Sequence, residues 1–160
     1  MTAGWGDVVV RDARTGAILW TRYLLDVTVR AAAFDHAGER LAIGTSRGAI
    51  LVLDASVGGV LREDRVPESP AITSLAWSVD GERLLAGTLD GRVLELRADD
   101  PDAEPVPWPD PEPAAVTHVA TSPFARRYVT ATSTSHRLKI HPWTGPGAGP
   151  VSCSGRPTDA

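Results

Sequence analysis

Two stretches of this chain repeat each other at a fixed distance, and that limits what it can fold into more than any other feature. Residues 29–54 read VRAAAFDHAGERLAIGTSRGAILVLD, and residues 72–97 read ITSLAWSVDGERLLAGTLDGRVLELR. Phe34 maps to Trp77, Gly38 to Gly81, Gly44 to Gly87 and Gly48 to Gly91, each 43 residues on. A weaker copy begins at Val116. There Ala120, Ala125 and Thr132 follow Ala76, Gly81 and Thr88 at 44, and Leu138-Lys139-Ile140 follows Val93-Leu94-Glu95 at 45. A partial copy lies near the N-terminus, where Val8–Asp12 matches Ile50–Asp54 at 42. Units that recur in this way bury their apolar faces against their neighbours.

Within one unit the local signals are strands and turns. Asp80-Gly81 and Asp90-Gly91 are hairpin dipeptides between short apolar runs. Leu41-Ala42-Ile43 and Leu84-Leu85-Ala86 stop at Gly44 and Gly87, too soon for helices. The better marked unit predicts strand a at Thr73–Ser78, strand b at Arg83–Gly87, strand c at Arg92–Arg97 and a weakly marked outer strand d. With 15 glycines and 13 prolines, the chain is too rich in turns for a helical bundle. The expected class is all-β.

A period in the low forties with four strands per unit resembles the WD-repeat β-propeller family. The resemblance runs from about Asp7 to Trp143 and rests chiefly on AWSVDGERLLAGTLDGRV. It implies a partial β-propeller of four-stranded antiparallel blades. A partial blade would cover residues 5–25, full blades 27–65 and 70–113, and a second partial blade 115–143. Leu53-Asp54, Leu96-Arg97 and His141-Pro142 stand where the family carries its Trp-Asp pair, and no Gly-His pair precedes strand a. The resemblance then implies that the family's His–Ser/Thr–Asp–Trp hydrogen-bond network is not assembled, leaving the blades to apolar stacking.

The strands implied amount to a little over three blades, whereas propellers typically close with about four to eight. An open arc exposes apolar faces and an unpaired edge at each end. Three explanations stay open. The chain is part of a longer propeller, or it assembles with a chain that supplies the missing blades (a second copy included), or it is a stable arc by itself. Self-association of the isolated polypeptide is expected.

Residues 99–113 hold six acidic residues, six prolines and no basic residue, so they read as an extended loop replacing or decorating strand d. Trp108 within it is expected to pack on the blade edge, the other reading being a ligand for a proline-recognition module. Residues 144–160 are small and polar and are expected to be a disordered tail.

Composition excludes several functions. One cysteine, Cys153, rules out an intramolecular disulfide and argues against a cysteine-based zinc site. No apolar run is long enough to span a membrane, and the N-terminus has no secretory pattern, so the expected compartment is cytoplasmic. A formal charge of −4 gives no general electrostatic reason to bind nucleic acid or an anionic membrane. Lys139 is the single lysine against fifteen arginines, and Asn and Gln are absent, a bias that suggests a high-GC bacterial genome.

The remaining motifs carry little chemistry. Gly44-Thr45-Ser46-Arg47-Gly48 fits the G-x-S-x-G of hydrolases, but Leu89 takes the Ser position one period later and a strand follows, so it reads as a repeat hairpin. His36, His118, His136 and His141 show no metal-ligand spacing and are expected at turns or on the surface. Asp12-Ala13-Arg14-Thr15-Gly16-Ala17-Ile18-Leu19-Trp20 resembles the D-x-x-T-G-x-x-x-W stretch of quinoprotein-type propellers, which implies that Trp20 docks one blade on the next. The second unit has Arg62 in the corresponding place. No catalytic, cofactor-binding or metal-binding residue is expected. Arg47, Asp90, Arg92 and His136 lie at or beside the b–c turns, which in propellers gather on one face, and are the candidate interaction residues. The expected function is a non-catalytic interaction scaffold for a protein or peptide. The alternatives are a quinoprotein-like propeller or enzyme fragment, and a structural fragment with no activity of its own.

Overall fold

The computed structural model describes residues 6–66, 70–100, 102–108, 111–112, 114–122, 127–134 and 138–142, with Pro142 described by its backbone alone. The expected tail, residues 144–160, lies outside them. Every regular element among the described residues is a strand. Strands β1 (Gly6–Arg11) and β2 (Ile18–Leu24) form a two-stranded sheet. Strands β3 (Val29–Phe34), β4 (Arg40–Thr45), β5 (Ala49–Asp54) and β6 (Val60–Arg65) form a four-stranded meander. So do β7 (Ile72–Trp77), β8 (Arg83–Thr88), β9 (Val93–Arg97) and β10 (Val106–Pro107). A three-stranded sheet follows, with β11 (Val116–Thr121), β12 (Arg127–Thr132) and β13 (Lys139–Pro142). All pairings are antiparallel. The two complete sheets are the four-stranded antiparallel blades that the spacing predicts.

The outer strand of the third sheet exists, but only as Val106–Pro107 against Glu95 and Leu94. Proline has no N–H to give to a ladder, so it is tolerated here because β10 is an edge. The remainder of the proline-rich segment contains no other strand among the described residues.

Turn chemistry explains where strands stop. Asp12 directly follows β1, and Asp54 is the last residue of β5. The Asp12 carboxylate accepts hydrogen bonds from the N–H groups of Arg14 and Thr15, and Asp54 does the same for Ser56 and Val57. Four residues after each Asp, Gly16 and Gly58 adopt φ of 74° and 71°, a region open to glycine at no steric cost.

The sheets stack face to face. Ile50 and Val52 of β5 pack with Ala42 against Ile72, Leu84, Leu94 and Leu96 of the third sheet. Alternate residues Leu51 and Leu53 join Leu41 and Ile43 and meet Val8, Val10 and Trp20 of the first sheet. Leu85 and Val93 meet Val116, Val119 and Tyr128 of the last sheet. A strand covered on both faces has no polar side, which is why β5 reads as an unbroken apolar run. Contact is close at the glycine of strand b. A Cβ on Gly44 would lie 2.5 Å from Ile72 Cγ2, and one on Gly87 would lie 2.7 Å from Val116 Cγ1.

Candidate interaction face

Each b–c turn is tied to the residue that leads into strand a of its own blade. The N–H groups of Ser46, Leu89 and Ser133 donate to the carbonyls of Thr28, Ala71 and Ala115 at 2.8, 3.0 and 3.0 Å. The b–c turns therefore share one face of the arc with the d–a connections, and the a–b and c–d turns share the other.

The β8–β9 turn is held from beneath. The Thr88 hydroxyl is fully buried, accepts the Arg92 N–H at 2.9 Å and donates to the Asp90 carboxylate. Arg92 Nε donates to Asp90 Oδ2 at 2.7 Å, closing an ion pair on the turn's outer surface. Burial works to raise the Asp90 pKa, and hydrogen bonds from Thr88 and Arg92 outweigh it, so the carboxyl sits below its ordinary value. Asp90 is thus a charged group of fixed orientation. Leu89 beside it is half exposed.

In the preceding blade Thr45 repeats the role of Thr88, with its hydroxyl accepting the Ala49 N–H at 3.0 Å. Arg47 stands in the turn position of Asp90, exposed, with no hydrogen bond or ion pair among the described residues. Asp90 and Arg92 are brought together, and Arg47 shares their face from the neighbouring blade. His136 lies outside the described residues. The G-x-S-x-G match is a b–c hairpin, and the Ser46 hydroxyl accepts the Thr28 N–H at 3.1 Å.

A polar cluster in the last sheet escaped the sequence reading. Glu112, in the segment entering β11, is buried with its side chain 4% exposed. Its carboxylate accepts Lys139 Nζ and lies 3.4 Å from the Thr130 hydroxyl. His141 Nε2 is 3.1 Å from the same hydroxyl and 3.8 Å from Glu112 Oε1. The imidazole stacks on Tyr128 with ring centroids 4.6 Å apart, and Trp108 meets Tyr128 edge-on at 4.8 Å. This corrects one expectation, because His141 is not a plain surface residue. A cluster of other residues links the d–a segment, strand b and strand c of the last blade, with Glu112, Thr130 and His141 in those places. A buried carboxylate requires hydrogen-bonding partners, and these residues supply them. The available signal was His141 standing in the position of the family's Trp. Trp108 packs on the next blade, as the plainer of its two readings expects.

Polar docking also joins the blades on the other face, beyond apolar stacking alone. Trp20 Nε1 donates to Ala55 O at 2.8 Å across the first and second sheets, the docking role expected of it. Arg62, one unit on, reaches the carbonyls of Arg97 and Asp100 at 2.6 Å each, as well as that of Ala103, and pairs with Asp64. Arginine thus does with five donors what the indole does with one. Arg40 spans from Asp35 to Gly81 O at 2.7 Å, and Thr121 donates to Trp77 O at 2.6 Å.

No protein-family model matches the chain. Over 69 residues it is 38% identical to Protein RBL of Arabidopsis thaliana, a match covering 42% of this chain and 13% of that protein. Among solved structures it is similar to the β-propeller domain of Cps50 (Swd1) from Myceliophteria thermophila. That likeness has a TM-score of 0.61 at 25% identity, and covers 74% of this chain and 35% of the other.

Proposed function

We propose that this chain, an incomplete β-propeller of WD-repeat type, is a non-catalytic interaction module whose b–c turn face meets a protein or peptide partner in the cytoplasm. One observation carries the proposal. The β8–β9 turn sets a fixed Asp90–Arg92 pair and the exposed Leu89 on the same face as the exposed Arg47. The buried Thr88 orders that turn before any encounter, so little conformational entropy remains to be lost on binding. The partner suited to it carries a carboxylate for Arg47 and an apolar side chain for Leu89. The net charge of −4 disfavours a polyanion.

Quantitative crosslinking and capture with the wild-type chain and an Arg47→Glu/Leu89→Asp variant tests this. Both positions are exposed, so thermal stability should be unchanged. The proposal expects a partner captured by the wild type to be lost from the variant. Equal capture by both proteins would contradict it.

A further inference from the structure

Strands β3, β7 and β11 share one irregularity. Each pairing with strand b skips a single residue: Arg30 between Val29 and Ala31, Thr73 between Ile72 and Ser74, and Thr117 between Val116 and His118. A bulge of this kind re-aims the extra side chain. The two threonines turn theirs back into the fold. Thr73 directs its hydroxyl at Gly87 O, 3.0 Å away, and at Val116 O of the next blade, and Thr117 donates to Ala131 O at 3.1 Å. Arg30 does neither. It is exposed and has no hydrogen bond or ion pair among the described residues. Yet its surroundings match those of Thr73. Ala31 pairs with Gly44 of its own strand b, and Ala31 and Ala33 pack against the core of the third sheet. Arg30 is therefore exposed because of its residue type, with its own strand b and the following sheet both in place.

The bulge lies at the b–c end of β3. Thr28, two residues before Arg30, accepts the Ser46 N–H, and Arg47 follows Ser46, so both arginines leave one blade on one face. The next blade's turn, with the half-exposed Leu89, is tied to Ala71 at the entry to β7 on that same face. The acids of the neighbouring segments leave the two guanidiniums uncompensated. Asp90 is paired with Arg92 and Glu112 with Lys139, and Asp26, exposed before β3, pairs with neither arginine. We infer that Arg30 and Arg47 together bind an acidic peptide segment of a partner, one carboxylate to each guanidinium, beside an apolar side chain on Leu89. A guanidinium fork matches the two oxygens of one carboxylate. The two forks leave from separate segments, a strand bulge and a turn, so each takes a carboxylate of its own. The inference rests on the reading of the b–c face as the interaction face, and adds to it the second acid and the residue that selects it.

Two random peptide libraries, identical except that one fixes a pair of glutamates at varied spacings and the other a pair of glutamines, would be bound to the full chain. Retention of the glutamate library about tenfold or more above the glutamine library is expected, with apolar residues enriched near the acids. The best retained peptide would then be titrated by fluorescence anisotropy. Arg30→Thr installs the residue that fills the same bulge in β7 and β11, so the fold should be kept. That change and Arg47→Ala are each expected to weaken binding about three- to fivefold, and added salt should weaken it further. Equal retention of the two libraries overturns the inference. Wild-type affinity in Arg30→Thr overturns it as well. So does stronger retention of a library with one fixed phosphoserine, because a single phosphate would then be the group recognised. Any of these results, combined with loss of partner capture in Arg47→Glu/Leu89→Asp, leaves the b–c face reading standing without the second acid.

Discussion

Strands β1 and β5 have nearly the same apolar content at equivalent positions, Val8-Val9-Val10 against Ile50-Leu51-Val52, yet their environments differ. Every residue of β5 but its last is buried, whereas β1 alternates between exposed and half-buried after Gly6. Among the described residues, the second sheet has a neighbour on each face and the first on a single face. The same holds at the far end, where Leu138 and Ile140 on or beside β13 are 70% and 69% exposed. Burial in this molecule is therefore a property of adjacency more than of side-chain hydrophobicity, as a chain of stacked units requires.

The sharpest way to break that comparison is to shorten equivalent side chains. Ile50→Ala, fully buried between two sheets, should cost about 3–4 kcal/mol, while Val8→Ala at the end of the arc should cost about 1 kcal/mol. Urea denaturation of the two variants would measure the difference, and equal costs would mean that the end sheet is as well packed as the centre.

Next in size is the docking arginine. Arg62→Ala takes the partner from the half-buried Asp64 carboxylate and from three carbonyls, so a loss of about 1.5–3 kcal/mol is expected. Arg11→Ala in the first sheet removes one exposed bond to Gly16 O and should stay within about 0.5 kcal/mol. Thermal melts of the pair would show whether interblade polar contacts matter more than those within a turn.

The smallest effect is acid lability. At Asp35 burial works to raise the pKa, but hydrogen bonds from Arg40 and Glu39 outweigh it, and the carboxyl sits below its ordinary value of 3.8. A depressed native pKa means that its stabilisation is present above the ordinary value and is lost as pH falls through the native one. Asp35→Asn should therefore flatten the fall in stability below about pH 4. Asp12, held below its ordinary value chiefly by the Thr15 N–H in an exposed turn of the first sheet, should leave that fall nearly intact when changed to Asn. Stability measured against pH for the two variants tests the order.

The blades were legible because their signals repeat. The Asp-Gly turns locate β7–β9 to within a residue, with β7 starting at Ile72 where Thr73 was expected and β9 at Val93 where Arg92 was, and the glycines repeated 43 residues apart carry the same pattern to β3–β5. Strand β10 was hidden because two residues in a proline-rich segment form no pattern. Arg62 was read as a missing Trp, since residue type alone does not reveal that a guanidinium can replace an indole in reaching carbonyls across a blade boundary. Glu112, Thr130 and His141 meet across three segments of a single blade, and in the preceding unit Ala86 and Leu96 stand in the places of Thr130 and His141. At the b–c turns the sequence located Asp90 and Arg92 but not the buried Thr88 hydroxyl that orders them.

Amide hydrogen exchange, resolved strand by strand on the isolated chain, tests the adjacency claim most directly. The account predicts the slowest exchange in β4, β5, β8 and β9, with β1 and β13 exchanging fastest. Uniform protection across the arc, or protection in β1 equal to that in β5, would contradict it.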